Sequence, residues 1–433
     1  MQQGRERGAK IPKGTRVAIV GFGRSGRAAL RLCLREGLNI RLIEQNPKAL
    51  TPEEAGILRA RGVEIFVGEH KPAFFAGVRY VIISPGIPRK TIVPFIDAEA
   101  QCEIIAEMEL AWRYLDNEPV LAVTGTSGKT TTVSLAAAML QAQGLRVFLG
   151  GNIGTPLSEY VLDSRKADVV VLEISSFQLQ CCQTFAPRVA VLLNISPNHL
   201  DYHADMAEYT EAKFRLFRWQ DENDLAILGK GLEQVEKRFG LRARTLFVGD
   251  VGRFPNTQLL GAHNRINCEV AWQACRFFGV TEKNAAKAVA GFSPLPNRLE
   301  RVREHGGVLY VNDSKATTLA ALGVALAAFD RPVRLLCGGK FKGGDPAHLL
   351  PLLRAHVVEV ALFGASREVF EKAWGGVVPM SWYPTLAPAV QALSTHAEPN
   401  DVVLLSPATA SFDLYTSYAE RGRDFRRIVE GLP

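Results

Sequence analysis

The sequence contains little cysteine and shows no pairing pattern for it. Seven cysteines are spread over 433 residues, and none forms a Cys-x-x-Cys motif. An odd number of dispersed cysteines in apolar segments is typical of reduced thiols and not of a disulfide framework. We therefore expect a cytoplasmic protein.

Long apolar runs and blocks of like charge are also absent. No stretch approaches the roughly 18 apolar residues of a membrane span, and Met1–Lys10 is polar, which predicts a short disordered tail and not a secretory signal. The net charge of +7 comes from scattered lysines and arginines. Such scatter does not indicate a nucleic-acid surface. We expect a monomer with neither membrane nor nucleic-acid partners.

What the chain does contain is a regular alternation of strand-like and helical segments. Hydrophobic residues make up 47% and charged residues 22%, so several ordinary cores can form. The alternation predicts an α/β protein with parallel sheets. Polar, Pro-containing links at Asp116–Pro119 and Ser293–Asn297 divide it into three domains, over residues 1–117, 118–295 and 296–433. We expect the first and third to be Rossmann-like.

A Gly-rich loop dominates the second domain. The apolar strand Val120–Thr124 leads into Gly125, Thr126, Ser127 and Gly128, and then Lys129, Thr130 and Thr131 open a helix. Backbone N–H groups at such a helix start bind phosphate oxygens, with Lys129 on the terminal phosphates and the Thr130 hydroxyl on Mg²⁺. Val123 stands where the strict P-loop pattern has Gly. The loop predicts an ATP site; the alternative is an incidental Gly-Lys-Thr turn.

The first domain begins with a Gly-x-Gly-x-x-Gly turn at Gly21–Gly26, between the strand Arg16–Val20 and a helix. The next strand ends at Glu44, about 20 residues further on, as in dinucleotide-binding folds. The motif predicts a diphosphate ligand without distinguishing NAD from another nucleotide; a purely structural tight turn is the alternative. The strand 80–83 ends at Ser84 and Gly86, and a helix is predicted near Ile104–Leu115.

Further polar residues follow predicted strands of the second domain. Glu173 follows Asp168–Leu172, and His199 comes shortly after Arg188–Leu193. At the carboxyl ends of parallel strands such side chains can hold Mg²⁺ or order water. The spacing of His199 and His203 could also indicate a transition-metal pair, but no third ligand is near, so we interpret His203 as structural or surface. The pattern around Lys213 alone indicates a solvated helix lysine.

The third domain repeats this arrangement. Strands over Val308–Val311, Val333–Cys337 and Asp401–Leu405 each end in a polar loop, at Asn312–Thr317, Gly338–Asp345 and Ser406–Asp413. Before this domain, Asn264 and Asn267 lie near the start of a helix, where they could cap it or contact a base. The weakly patterned region 229–260 carries no assigned function.

Together these motifs resemble the Mur ligases of peptidoglycan synthesis over almost the whole chain, from about Arg16 to Arg427. The family's general signatures are Thr124–Thr131, Leu172–Leu179 and Asn312–Thr317. Gly150–Gly154 and Leu404–Asp413, followed by Arg421, Gly422 and Phe425, resemble the branch that adds D-glutamate. The resemblance implies that ATP activates the carboxylate of UDP-N-acetylmuramoyl-L-alanine as an acyl phosphate, which the amine of D-glutamate then attacks.

The resemblance also implies roles for individual residues. Catalytic roles fall on Lys129, Glu173, His199, Lys213 and Lys315. ATP contacts fall on 125–131, Asn264, Asn267, Arg298 and Asp313. Thr130 and Glu173 would hold one Mg²⁺, and His199 with a carbamylated Lys213 a second. UDP-substrate contacts fall on Gly23, Arg24, Ser25, Glu44, Ser84, Gly86, Asn152 and His199, and D-glutamate contacts on Thr317, Lys342, Ser411, Phe412 and Tyr418.

Two positions depart from the family pattern. Lys340 stands where many relatives have an acidic residue, which bears on the preference for D-glutamate, and Asn297 stands where a His commonly precedes the matching Arg298. The alternatives are another Mur-type or folylpolyglutamate-synthase-like amide ligase, a nicotinamide-dependent oxidoreductase, or a P-loop switch. Neither of the last two accounts for both the phosphate loop and Asn312–Thr317.

Overall fold

Three β-sheets made mainly of parallel strands follow one another along the chain in the computed structural model. The model describes residues 8–99, 101–199 and 202–433. Residues 1–7, which make up most of the predicted tail, lie outside the described part. Each sheet is flanked by helices, so the predicted α/β class with Rossmann-like first and third domains is confirmed.

The first sheet has the strand order β3-β2-β1-β4-β5, and all its neighbouring pairs are parallel. Its elements are β1 (Arg16–Val20), α1 (Arg24–Arg35), β2 (Asn39–Glu44), α2 (Pro52–Ala60), β3 (Glu64–Val67), α3 (Pro72–Phe75), β4 (Tyr80–Ile83), β5 (Glu103–Ala106) and α4 (Glu107–Trp112).

The helix predicted near Ile104–Leu115 is wrong at its start. Ile104 and Ile105 are buried in β5, which pairs with β4, and the helix begins only at Glu107. β-Branched side chains pack well on a sheet and lower helix propensity, so the edge of the first sheet extends further than the pattern indicates.

The second sheet has the order β11-β10-β9-β6-β8-β7 and is also parallel. Its elements, with the helices around it, are β6 (Val120–Thr124), α5 (Lys129–Ala142), β7 (Val147–Gly151), α6 (Leu157–Leu162), β8 (Val169–Glu173), α7 (Ser176–Gln180), β9 (Val189–Leu192), α8 (Met206–Phe214), β10 (Leu225–Gly229), α9 (Glu233–Glu236), β11 (Arg244–Val248), α10 (Ala262–Arg276) and α11 (Glu282–Ala290). The weakly patterned region 229–260 therefore contains an edge strand.

One hydrophobic core is shared by the first two sheets. Helix α6 of the second sheet packs against α1 and α4 of the first. At this junction the Glu107 carboxylate accepts a 2.7 Å hydrogen bond from the Ser158 backbone N–H, near the start of α6. Burial raises the pKa of Glu107. The two sheets are thus joined by apolar packing and by a buried polar contact.

The third sheet has the order β12-β13-β17-β14-β15-β16, and β12 is its antiparallel edge strand. Its elements are β12 (Glu300–His305), β13 (Val308–Asn312), α12 (Leu319–Leu326), β14 (Val333–Gly338), α13 (Leu350–His356), β15 (Val357–Phe363), α14 (Arg367–Trp374), β16 (Met380–Tyr383), α15 (Leu386–His396), β17 (Val402–Leu405) and α16 (Tyr418–Glu430). Alternate residues of β13 enter two different cores, so both faces of this sheet are covered.

The chain divides into two compact units. The first comprises the residues up to 249 together with 267–288, and the second comprises 250–266 with 289–433. The first two sheets belong to the first unit and the third sheet to the second. Among the described residues, no helix combines the length and the apolar character needed to cross a membrane.

We expect Gly26→Ala to destabilise the protein. A Cβ at Gly26 would lie 1.9 Å from the Gly21 backbone oxygen, so α1 would have to move away from the turn that follows β1. Overpacking of this kind costs about 1–3 kcal/mol. Urea denaturation should therefore show a lower unfolding midpoint.

Gly56→Ala is the matched control, because Gly56 also lies in a helix of the first unit but has open space around it. Alanine there should stabilise the helix by about 0.5–1 kcal/mol. Equal midpoints for the two variants would contradict the steric argument.

Candidate active site

The phosphate loop joins β6 to α5 through two glycines in backbone conformations that other residues rarely adopt. Gly125 has φ +153° and Gly128, which precedes α5, has φ +85°. A Cβ on Gly128 would lie 2.7 Å from the Asn267 side-chain oxygen, so Asn267 lies directly against the loop. Val123, which replaces the first Gly of the strict pattern, is fully buried in β6 between β8 and β9. The loop is therefore short because this position belongs to the core.

Two lysine ammonium groups converge on one backbone oxygen of this loop. Lys129 Nζ donates to the Gly125 oxygen at 2.8 Å and to the Thr126 oxygen at 3.0 Å, and Lys213 Nζ donates to the Gly125 oxygen at 2.9 Å. Like charges this close repel each other unless an anion or a change of protonation offsets them. The arrangement is suited to a polyphosphate.

Lys213 is 1% exposed, so the solvated-lysine interpretation drawn from the pattern alone is wrong. Its ammonium lies 4.5 Å from the centre of the Tyr209 ring. Burial, and next the charge of Lys129, hold the pKa of Lys213 well below its ordinary value. A neutral amine is the form of lysine that can react with electrophiles such as CO₂.

Glu173 ends β8 beside the loop and is buried. Its carboxylate accepts hydrogen bonds from Thr130 Oγ1 at 2.6 Å and from the Asn152 amide at 2.7 Å. A hydroxyl and a carboxylate in contact are hard oxygen ligands of the kind Mg²⁺ prefers, and Mg²⁺ sites commonly rely on substrate phosphates and water for the rest. No group of three His, Cys, Asp or Glu side chains arranged to hold a metal occurs in the described part of the chain.

Two residues that no pattern singled out for a role support this loop. The Asn194 side-chain oxygen accepts from the Ser127 backbone N–H at 2.9 Å, and the Tyr209 hydroxyl lies 3.0 Å from Thr126 Oγ1. Asn194 follows β9, so its place at a strand end was the available signal. Tyr209 lies on α8, where nothing local points to the loop.

His199 has a left-handed backbone conformation, with φ +57°. Its ring lies edge-on to Phe177, with 4.8 Å between ring centres. His203 is buried, and its Nε2 lies 2.9 Å from Ser176 Oγ. The structural interpretation of His203 is thus supported, while Leu200 and Asp201 between the two histidines lie outside the described residues.

In the first sheet, the Gly-x-Gly-x-x-Gly turn is held by Glu44. The Glu44 carboxylate accepts from the backbone N–H of Phe22 at 2.6 Å and of Asn46 at 2.8 Å. Ser84 Oγ donates to the Gly21 oxygen at 3.3 Å. Gly23, Arg24 and Ser25 stand at the start of α1, and Gly86 lies in the loop after β4. These predicted UDP-substrate residues thus gather at the carboxyl ends of β1, β2 and β4.

In the second unit, the predicted amino-acid residues lie beyond β13, β14 and β17. Lys342 Nζ donates to Thr317 Oγ1 at 3.1 Å, and Lys315 Nζ lies 3.9 Å from the centre of the Tyr418 ring. Ser411 is buried, whereas Phe412 is 71% exposed. Two ammonium groups held among hydroxyl and aromatic side chains are suited to an acidic amino acid.

Asp313 is buried at the end of β13. It accepts from the Leu299 backbone N–H at 3.2 Å and from Ser406 Oγ at 3.1 Å. Burial raises its pKa to about 7, although these hydrogen bonds and the neighbouring Arg298 oppose the rise. Asn264 also belongs to this unit, and its amide donates to the Leu260 oxygen at 2.7 Å. Asn267 belongs to the first unit, where it lies against the phosphate loop.

Comparison with known proteins identifies three family models along the chain. They are a Mur ligase MurD-like N-terminal domain over residues 15–106, a Mur ligase middle domain over 123–245, and a Mur ligase glutamate ligase domain over 297–409.

A curated relative from Desulfovibrio desulfuricans, a UDP-N-acetylmuramoylalanine–D-glutamate ligase, is 63% identical over 98% of this chain and 98% of its own. Two solved structures share the fold at low identity. The MurF ligase of Thermotoga maritima in complex with ADP is 20% identical over 97% of this chain and 96% of its own, with a TM-score of 0.62. A Mycobacterium tuberculosis folylpolyglutamate synthase complexed with ADP and AMPPCP is 16% identical over 75% and 94%, with a TM-score of 0.55.

We expect Asp313→Asn to flatten the pH dependence of stability. With a pKa of about 7 instead of 3.8, the folded protein holds a proton that the unfolded chain has lost. Stability therefore falls as pH rises from about 4 to about 7, and asparagine removes this loss. Urea unfolding of the second unit across this range measures the slope. The exposed Asp330→Asn is the control and should keep the wild-type slope; an unchanged slope in Asp313→Asn would contradict the assignment.

Proposed function

Because the chain belongs to the Mur ligase family, we propose that it is an ATP-dependent ligase that joins D-glutamate to UDP-N-acetylmuramoyl-L-alanine in peptidoglycan synthesis. The choice of substrates rests on one observation, the 63% identity to a ligase of that name over 98% of both chains. The paired lysines at the Gly125 oxygen and the adjoining Thr130–Glu173 pair support the use of ATP.

Each of the three predicted domains would bind a different substrate. Residues 1–117 would bind the UDP substrate, 118–295 ATP, and 296–433 the amino acid. The matched family models follow the same order. The corresponding features are a Rossmann-like turn whose Phe22 N–H donates to Glu44, a phosphate loop with Lys129, and Lys342 bonded to the Thr317 hydroxyl.

The reaction requires activation because a carboxylate does not react with an amine while its oxygen is a poor leaving group. A carboxylate oxygen of the alanyl group attacks the γ-phosphorus of ATP, and ADP leaves. The amine of D-glutamate then attacks the acyl carbon and loses a proton, and phosphate leaves as the amide forms. Two anions meet in the first step, so cations such as Lys129 have to offset their repulsion.

Mg²⁺ would be held by Thr130 and Glu173 at one site, and by His199 and carbamylated Lys213 at a second. When bound, it would neutralise phosphate charge and orient the transferred group. The Thr130 hydroxyl and the Glu173 carboxylate fit this role as hard oxygen ligands. Lys213 fits only as a carbamate, which supplies oxygen atoms in place of an amine, and its burial with a lowered pKa supports that modification.

The remaining site residues are assigned by the same proposal. D-Glutamate would contact Thr317, Lys342, Ser411, Phe412 and Tyr418, and Lys315 would steady the transferred phosphoryl group. ATP would also contact the loop 125–131, Asn264, Asn267, Arg298 and Asp313. The UDP substrate would contact Gly23, Arg24, Ser25, Glu44, Ser84, Gly86, Asn152 and His199. A monomer that works in the cytoplasm without nucleic acid or membrane partners stays a prediction.

The test of the function supplies purified protein with ATP, Mg²⁺ and UDP-N-acetylmuramoyl-L-alanine, and with D-glutamate, L-glutamate or lysine as acceptor. Phosphate release should require both the UDP substrate and D-glutamate, because the acyl phosphate turns over only when an amine attacks it. Release that needs no acceptor would indicate a nucleotide switch. Binding of NADH without binding of the UDP substrate would indicate an oxidoreductase.

We expect Lys213→Ala to lose activity and to regain part of it with added acetate. A small carboxylate can enter the space vacated by the side chain and replace the oxygen ligands of a carbamate. Phosphate release measured against acetate concentration tests this. Lys129→Ala is the control: it should be inactive with or without acetate, because it loses a cation, while still binding the UDP substrate. Equal effects of acetate on both variants would contradict the carbamate.

A further inference from the structure

Arg421 is a fully buried arginine beneath the predicted amino-acid site, and the proposed mechanism gives it no role. It lies in the first turn of α16, close to Tyr418, the residue that begins the helix. A fully buried arginine is rare unless its donors are satisfied. Its partners therefore show what its position accomplishes.

The Arg421 guanidinium bonds to loops that follow three adjacent strands of the third sheet. Nε donates to Ser314 Oγ at 3.0 Å, and Nη2 donates to the backbone oxygens of Ser314 at 3.0 Å and Thr409 at 3.1 Å. Nη1 lies 3.4 Å from the Gly338 oxygen and 3.5 Å from the Ala410 oxygen. These acceptors lie at or just beyond the ends of β13, β14 and β17, which are neighbours in the sheet.

Each of these loops carries a predicted functional residue: Lys315 of the proposed phosphoryl transfer, and Lys342 and Ser411 of the predicted amino-acid site. Ser314 precedes Lys315, and Ala410 precedes Ser411. Ser314 Oγ also donates to the Tyr418 oxygen at 2.8 Å, which joins the start of α16 to the same network. The guanidinium thus forms hydrogen bonds with the loops that lead from three strands to the predicted amino-acid site.

Only a guanidinium can make this set of contacts. Its planar fork offers five N–H donors in fixed directions, whereas a lysine ammonium offers three from one atom. The partners are neutral hydroxyl and carbonyl oxygens. Burial lowers the pKa of Arg421 to about 10, with Asp413 opposing the fall, so the side chain stays charged at neutral pH.

We propose that Arg421 is a positioning residue for the amino-acid acceptor: by bonding the ends of three strands together, it sets the spacing of the Lys315, Lys342 and Ser411 loops. This inference rests on the proposed function, which assigns Lys342 and Ser411 to D-glutamate and Lys315 to the transferred phosphoryl group. A misplaced loop weakens acceptor binding, while the phosphate loop and the UDP-substrate turn of the first unit keep their own supports. Asp313, the predicted ATP contact beside Ser314, keeps its hydrogen bonds from Leu299 and Ser406.

The test compares Michaelis constants for the three substrates in Arg421→Met and Arg421→Lys. Both variants should raise KM for D-glutamate by about tenfold or more, and KM for ATP and for the UDP substrate should stay within about twofold. Arg427→Met is the matched control, because Arg427 lies on the same helix but is exposed and bonded to Asp424. It should leave all three constants unchanged.

The outcomes separate the inference from the proposed function. Wild-type protein without D-glutamate-dependent phosphate release would refute the function. Wild-type activity with an unchanged D-glutamate KM in the Arg421 variants, or with all three constants raised together, would refute only the positioning role. An Arg421→Lys variant with the wild-type KM for D-glutamate would refute the need for the planar guanidinium. If these variants do not fold, Ser314→Ala, which removes the Nε acceptor, should still raise KM for D-glutamate selectively by about threefold.

Discussion

The backbone oxygen of Gly125 accepts hydrogen bonds from Lys129 and Lys213 at once. Gly125 directly follows β6 and has φ +153°, a conformation that side chains disfavour. The shared acceptor brings two lysine side chains together in a buried place, where burial, and next the charge of Lys129, lower the pKa of Lys213. The proposed phosphate site and the proposed carbamylation of Lys213 would therefore depend on the same turn of backbone.

The second unit contains a comparable arrangement, in which the donor and not the acceptor is shared. In the loop of the first unit, one backbone oxygen accepts hydrogen bonds from two lysines. At the ends of β13, β14 and β17, one guanidinium contacts five oxygens. Both arrangements lie where parallel strands end, because backbone groups beyond the last ladder bond need other partners. Arg421 donates hydrogen bonds to three loops. These loops are therefore held in place without β-sheet hydrogen bonds while they carry the predicted functional side chains.

The sequence predicts the fold and the loops well, but not the burial of particular side chains. Apolar runs such as Val169–Leu172 predict buried strands. The polar residues that follow them lie together because parallel strands end at the same edge of the sheet. Lys213 is different: its helix pattern is polar, and its burial depends on a loop 88 residues away. The pattern predicts a helix in place of β5 for a related reason, because only pairing with β4 decides that Ile104 and Ile105 are extended. Long-range contacts of this kind leave no periodic pattern in the neighbouring sequence.

Lys340 is the position where the resemblance leads us to expect an acidic residue, and backbone hydrogen bonds fix the path of its loop. Its backbone forms paired hydrogen bonds with Ala410, at 2.9 Å and 3.0 Å, whatever the side chain. Ala410 is also within reach of Arg421. The path of the loop is therefore set by backbone bonding, and replacing an acidic residue by lysine changes the local charge instead of the loop path. Lys340 is exposed, so its predicted effect on the preference for D-glutamate concerns its charge and not the packing of the loop.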